Sequence, residues 1–111
     1  MAIKANIVID QGADFTSEIV LTGDDGNPYD LTSHTVRAQM RKNYASSTAV
    51  DFDTQIKQPT TTGIIYISLD DTSTKDIDPG RYLYDVVVED SISNVTRVVE
   101  GIATITPGIT R

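Results

Sequence analysis

Cysteine is absent from the 111 residues, so no disulfide framework, zinc–thiolate site or thiol nucleophile is available. Tryptophan is absent too, which disfavours a sugar-binding cleft built on aromatic platforms. The only histidine is His34, and no second imidazole exists to complete a metal site or a catalytic pair. A serine nucleophile would have His34 as its sole base, and nothing in the sequence marks a third group to orient it. There is no P-loop, dinucleotide fingerprint or Gly-x-Ser-x-Gly elbow. No apolar stretch approaches the roughly 20 residues of a membrane helix. The opening Met1–Asn6 brings a lysine early with no apolar run behind it, unlike a signal peptide. The expectation is a soluble protein that is not an enzyme and carries no cofactor.

Positive charge is scarce as well. Lys and Arg number 9 against 16 Asp and Glu, for a net charge of −7 and a sequence pI near 4.4. Such a chain is repelled by phosphates, and its basic residues are scattered rather than clustered. Neither nucleic acid nor membrane is expected as a partner. The hydrophobic fraction of 39% is enough for one core, and the length fits one domain over residues 1–111.

What the chain does have is two-residue alternation, the mark of half-buried strands. Ile3, Ala5, Ile7 and Ile9 share one face of a first strand, and Gln11–Asp14 turns the chain. Phe15, Ile19 and Leu21 mark a second strand. Thr22–Pro28 is dense in turn formers, and Tyr29 and Leu31 read as anchors for a loop that dips toward the core. Val36, Ala38 and Met40 alternate with Arg37, Gln39 and Arg41 in a third strand. Val50, Phe52 and Ile56 make a fourth, and Ile65, Ile67 and Leu69 the buried face of a fifth. Asp70–Gly80 opens on N-cap residues and closes on Pro79-Gly80. It predicts one short helical turn between sheets, with Ile77 plugging the core. Tyr82, Tyr84, Val86 and Val88 share a face of the sixth strand. Asp90–Asn94 is a hairpin turn, and Val95–Ile105 the seventh strand. Val98 and Val99 stand side by side there, so a bulge is expected to bury both. About seven short strands without room for crossover helices predict an all-β, mainly antiparallel sandwich with one helical turn.

The polar clusters read mostly as structure. Asp24–Asp30 has carboxylates around a glycine but lacks the spacing and the bidentate glutamate of a calcium loop, so a β-turn is expected. Asp70, Asp71, Asp76 and Asp78 suit helix capping and solvation. Tyr82 and Tyr84 are read as core packing, each hydroxyl reaching a partner at the sandwich edge. Arg37, Arg41 and Lys42 are placed on the outer face of the third strand. There they either pair with Asp85 or Glu89 or contact another subunit.

Several segments together resemble a family of small tailed-phage and prophage virion structural proteins. Ile7–Phe15 resembles an extended strand followed by Gln-Gly and an aromatic. Asp30–Arg41 is similar to an Asp-Leu-Thr-Gly-Tyr-Thr segment, with Ser33-His34 where the pattern has Gly-Tyr. Pro79–Val86 is similar to a Gly-x-Tyr-x-Tyr-Asp strand, and Val95–Gly101 with Ile105–Pro107 to the closing strand. The likeness covers nearly the whole chain, and the order of motifs is more specific than any one of them. It implies an immunoglobulin-like sandwich related to the attachment domains of baseplate and receptor-binding components. It implies a protein of the virion, assembled in the host cytoplasm, that docks onto other virion proteins in a symmetric multi-copy assembly. A capsid decoration or head-fibre protein and a carbohydrate-binding module are the alternatives. Arg37, Arg41, Lys42, Ile109 and Arg111 are the expected subunit contacts, with the first strand and the C-terminal tail pairing to neighbours through their edges.

Overall fold

A computed structural model describes residues 3–23 and 25–109. Strands β1 (Ile3–Lys4), β2 (Ile7–Asp10), β3 (Phe15–Val20), β4 (Thr35–Arg41), β5 (Val50–Asp51), β6 (Asp53–Ile56), β7 (Ile64–Leu69), β8 (Gly80–Glu89) and β9 (Val95–Thr106) form two sheets. The wide sheet runs β1–β9–β8–β4–β5, with β2 also on β9; the narrow sheet runs β3–β7–β6. All pairings are antiparallel except those of β1 and β2 with β9, which are parallel. This is an immunoglobulin-like sandwich in which the second, fifth and fourth strands of the usual order face the sixth, seventh and third. Tyr82 carries a hallmark of that fold: its hydroxyl donates to Asp78 O at 2.9 Å, four residues upstream at the corner before β8.

Alternation on the inner faces builds the core. Ile9, Met40, Ile65, Ile67 and Val86 are wholly buried, and Leu69, Val88 and Ile105 nearly so. Each such side chain contributes about 1.5–3 kcal/mol relative to leaving it in water. An aromatic ladder ties the layers together: Phe15 on β3 lies 6.2 Å from Phe52, and Phe52 lies 6.3 Å from Tyr84 on β8. The expected anchors hold, with Leu31 buried and Tyr29 packed against the core.

Two of the seven predicted strands are divided. The fourth crosses between sheets at Phe52, whose N–H donates to Ala38 O at 2.9 Å while Thr54 Oγ1 donates to Val36 O at 3.0 Å. Periodicity is blind to this, because Val50, Phe52 and Thr54 face inward and Asp51 and Asp53 outward in one unbroken alternation across the two sheets. The first strand breaks at Ala5–Asn6, where Asn6 Oδ1 takes the Ile102 N–H at 3.0 Å in place of a backbone acceptor.

The expected bulge is present. Val86 pairs Val99 while Val87 pairs Arg97, so Val98 is the extra residue, and both valines are buried. The expected helical turn is α1 (Asp71–Lys75), capped by Asp70, and Ile77 below it is 6% exposed. In the Asp30–Arg41 segment, Ser33 stands in the left-handed region at φ 61°, the conformation that the glycine of the family pattern would adopt without steric cost.

The Gln-Gly of the opening motif proves to be a staple. Gln11 Nε2 donates to Ile77 O at 2.9 Å, and its Oε1 accepts the Gly108 N–H at 3.2 Å. The Gly12 N–H donates to buried Thr74 Oγ1 at 3.0 Å, and that hydroxyl donates to Ala13 O at 2.8 Å. The end of β2, the turn after β7 and the chain leaving β9 are thereby tied. Gln11→Ala is expected to cost about 1–2 kcal/mol, since two partly buried backbone groups lose their partners. Thermal melts of the variant and of Gln11→Glu check this; an unchanged alanine variant removes the staple.

Candidate interaction surface

The outer face of the wide sheet carries the most articulated surface. One row crosses five strands: Asp51, Gln39, Asp85, Glu100 and Lys4 are consecutive register partners. The next exposed row sets Arg41 beside Leu83 and Ile102. This second row, the first row without Asp51, and Tyr44, which is 85% exposed on the loop after β4, line a shallow concavity of about 410 Å³.

The bulge organises the charges on this face. Residues three apart in a regular strand point to opposite faces. The inserted Val98 turns both Arg97 and Glu100 outward, so Arg97 Nη1 meets Glu100 Oε2 at 3.1 Å and its Nε meets Asp85 Oδ2 at 3.2 Å. Asp51 Oδ1 accepts from Gln39 Nε2 at 2.6 Å. These half-exposed pairs contribute little stability. Their consequence is a face on which Arg97 bridges the neighbouring Asp85 and Glu100 carboxylates. Arg97 escaped the sequence reading, although the expected bulge already required it and Glu100 to share a face.

The sequence-predicted contacts are only partly brought together. Arg37 lies on the outer face and pairs with Glu89 at 3.4 Å, as the cross-strand reading expected. Arg41 lies there too, but its guanidinium turns back to Ser46 O at 2.7 Å and to Gln39 Oε1 at 3.2 Å. Lys42 departs from the trio. One residue past the end of β4, its ammonium sits 4.7 Å from the Tyr82 ring centre, a cation–π contact at the inner margin rather than the outer face. Asp85, an expected partner of the trio, is taken by Arg97. Ile109 is 95% exposed beyond β9, and Arg111 lies outside the described residues. The first strand makes a ladder within the chain, on β9.

The tyrosine hydroxyls have the partners expected of them. Tyr84 OH donates to Ala5 O at 2.5 Å, bonding β8 to the break in the first strand. Burial pushes the Tyr84 phenol above its ordinary pKa; burial and then the Asp78 carboxylate do the same for Tyr82. His34 lines neither this concavity nor the cleft beside β3. Its Nδ1 donates to Thr32 O at 2.9 Å, and its ring meets Tyr29 edge-on at 5.9 Å.

The loop carboxylates act on their own backbones. Asp25 accepts from Asn27, Asp30 from Thr32, Asp70 from Ser73 and Thr72, and Asp90 from Ile92 and Asn94. These bonds favour the ionised form and hold all four pKa values below the ordinary 3.8. Since the folded values are depressed, the stability they contribute is present above 3.8. It is lost as pH falls through the lower folded-state values. Asp70→Asn keeps an acceptor at the cap but removes one titration. Its stability is expected to decline less steeply than the parent's below pH 3.8 in urea unfolding, and parallel acid limbs would contradict this.

No family model and no characterised protein sequence matches the chain. Among solved structures it is similar to an internalin-like protein of Listeria monocytogenes, with TM-score 0.51 and 19% identity over 95% of this chain and 28% of that one. It is also similar to the SrpA adhesin of Streptococcus sanguinis, with TM-score 0.53 and 9% identity over 91% of this chain and 54% of that one. The chain thus spans 28% of the first and 54% of the second. At these identities the likeness is one of fold.

Proposed function

We propose that this domain is a non-enzymatic building block of a tailed-phage particle. It is associated with the tail or baseplate and acts by docking onto other virion subunits in a symmetric multi-copy assembly. The observation that carries this reading is the order of motifs along nearly the whole chain. The fold gives those motif residues work within the sandwich: Gln11 and Gly12 staple, Ser33 turns, Tyr82 closes a corner and Val98 bulges. What is left for a partner is the exterior, namely the charged outer face and the strand edges.

Mass spectrometry of dissociated, purified particles tests the placement. The domain is expected there in a fixed ratio to the tail proteins, and recovery from host cytosol alone would overturn the reading. Copies in the hundreds per particle would move it to a capsid decoration or head-fibre protein. A second reading, a carbohydrate-binding module, is favoured by the concavity where Arg41, Asn6, Asn43 and Tyr44 offer donors, acceptors and a ring to a hydroxylated ligand. A blank glycan array removes it.

A further inference from the structure

The two sheets are unequal in width, and the difference falls at one edge. In constant-type immunoglobulin sandwiches the first strand lies in the same sheet as the second. Here both pieces of the first strand, β1 and β2, pair with β9 in the opposite sheet. Among the described residues, β3 therefore has β7 on one side and no strand on the other.

The register tells which backbone groups that edge leaves open. The Leu21 N–H donates to Gly63 O at 2.8 Å, just past the β3–β7 ladder. By antiparallel alternation, Phe15, Ser17 and Ile19 turn their amides and carbonyls to β7, and Thr16, Glu18 and Val20 turn theirs outward. Edge strands are commonly guarded by charged side chains, above all lysine, or by proline; Phe15–Val20 carries one charge, Glu18, and no lysine or proline.

Beside this edge lies a mainly apolar recess, with Asn6, Ser17 and Glu18 also on its wall. A cleft of about 270 Å³ opens between β3 and the first strand, lined in part by Ile3, Ala5, Ile7, Ile19, Val20 and Val99. That is room for a few side chains rather than for a drug-sized ligand. Large apolar side chains are exposed along the same margin: Ile3 at 46% and Val20 at 54%. A row of open backbone donors and acceptors next to an apolar recess matches one chemistry, an extended polypeptide with an apolar residue at every second position.

We propose that such a segment, contributed by another subunit and neutral or basic at its intervening positions, adds to β3 as the fourth strand of the narrow sheet. Charge selects it. Glu18 projects from the middle of the edge and the chain carries a net charge of −7, so a second copy of this acidic chain is a poor occupant. The inference rests on the reading of the domain as a docking unit and names the edge that does the docking.

The test uses the full chain, isotope-labelled, and a capped synthetic heptapeptide, Val-Lys-Val-Thr-Val-Lys-Val. Amide hydrogen exchange is read residue by residue. At saturating peptide the Thr16, Glu18 and Val20 amides are expected to slow by about tenfold or more, with β5 and β6 unchanged. Glu18→Pro removes an outward N–H without touching the bonds to β7, and is expected to abolish the response. Should that variant fail to melt cooperatively, Val20→Lys does the same through repulsion of the peptide's lysines. No slowing at these three amides, equal slowing at the β6 edge, or full binding by a folded variant overturns the proposal. An equal response to the same peptide with glutamate for lysine overturns the choice of occupant. A domain absent from particles whose three amides still respond removes the virion placement and keeps the edge; a particle-borne domain whose amides ignore the peptide does the reverse.

Discussion

Gly63→Ala is expected to lower stability by about 4 kcal/mol or more, a large share of the roughly 5–15 kcal/mol that holds an ordinary domain. Two costs coincide at this residue. Its φ of +70° lies in the left-handed region, which charges a β-carbon roughly 1–2 kcal/mol. That β-carbon would also stand 2.6 Å from Leu21 O, 2.7 Å from Tyr29 N and 2.9 Å from Tyr29 O. None of those atoms is free to yield. The Leu21 N–H is bonded to Gly63 O at 2.8 Å, and the Tyr29 N–H to Leu21 O at 3.0 Å. The Leu31 N–H, two residues on, is held by Thr60 O at 3.0 Å. A methyl group here must part the loop anchored by Tyr29 and Leu31 from the start of β7. Gly26 supplies the comparison: its φ is +80° but, among the described residues, nothing lies within 4 Å of its would-be β-carbon. Gly26→Ala should therefore cost only about 1 kcal/mol. Equal urea midpoints for the two alanine variants would show that the close approach at Gly63 carries no energy.

That contrast also marks the limit of what can be read from the residues alone. The inward faces of β7 and β8 were legible because Ile65, Ile67 and Leu69, and then Tyr84, Val86 and Val88, alternate without interruption. All six are buried. The cap at Asp70 and the plug at Ile77 were legible because capping chemistry is local. The bulge was legible because two adjacent valines cannot both face inward in a regular strand. Hidden from view were matters of which element meets which. Phe52 faces inward on either sheet, so the crossing there leaves no periodic trace. Lys42 is of another kind: alternation along β4 carries it to the inner side with Val36, Ala38 and Met40, away from Arg37 and Arg41, and there its ammonium meets Tyr82. The pairing of the first strand with β9 rather than β3 is a choice between two edges, and the alternation of the first strand fits both.

The interaction surface follows the same division. The Arg37–Glu89 pair is diagonal, two residues along β8 from Val87, the register partner of Arg37, and is legible once the strands are aligned. The Arg97 pairs with Asp85 and Glu100 need the bulge and the β8–β9 register at once. The open edge of β3 needs the whole topology, because an unpaired strand is defined by what does not lie beside it. Fold and proposed function are thus joined at one point. Assigning the first strand to the wide sheet widens the charged face by a strand and leaves the narrow sheet one strand short.

Gly101→Ala tests how firmly that assignment is held, and is expected to cost about 3 kcal/mol. The reason differs from that at Gly63, since Gly101 has no left-handed backbone and the cost is one of space. Its β-carbon would fall 2.0 Å from Ala5 O and 2.7 Å from Ala5 C. Ala5 and Asn6 are pinned at this spot: the Ala5 N–H donates to Glu100 O at 3.0 Å, and the Ile102 N–H donates to Asn6 Oδ1 at 3.0 Å. Tyr84 OH donates to Ala5 O from the neighbouring strand. A methyl group therefore lifts the joint between β1 and β2 off β9 and breaks these three bonds together. A double-mutant cycle separates this from general damage. Tyr84→Phe alone should cost about 1–2 kcal/mol, because Ala5 O loses a partly buried donor. In the Gly101→Ala background it should cost close to nothing, the bond being already broken. Additive losses would mean that the first strand stays seated and that the methyl group is absorbed elsewhere. Coupled losses, with amide exchange accelerated over Ile3–Asp10 and unchanged in β7, would place the anchorage of the first strand at the Gly101 contact.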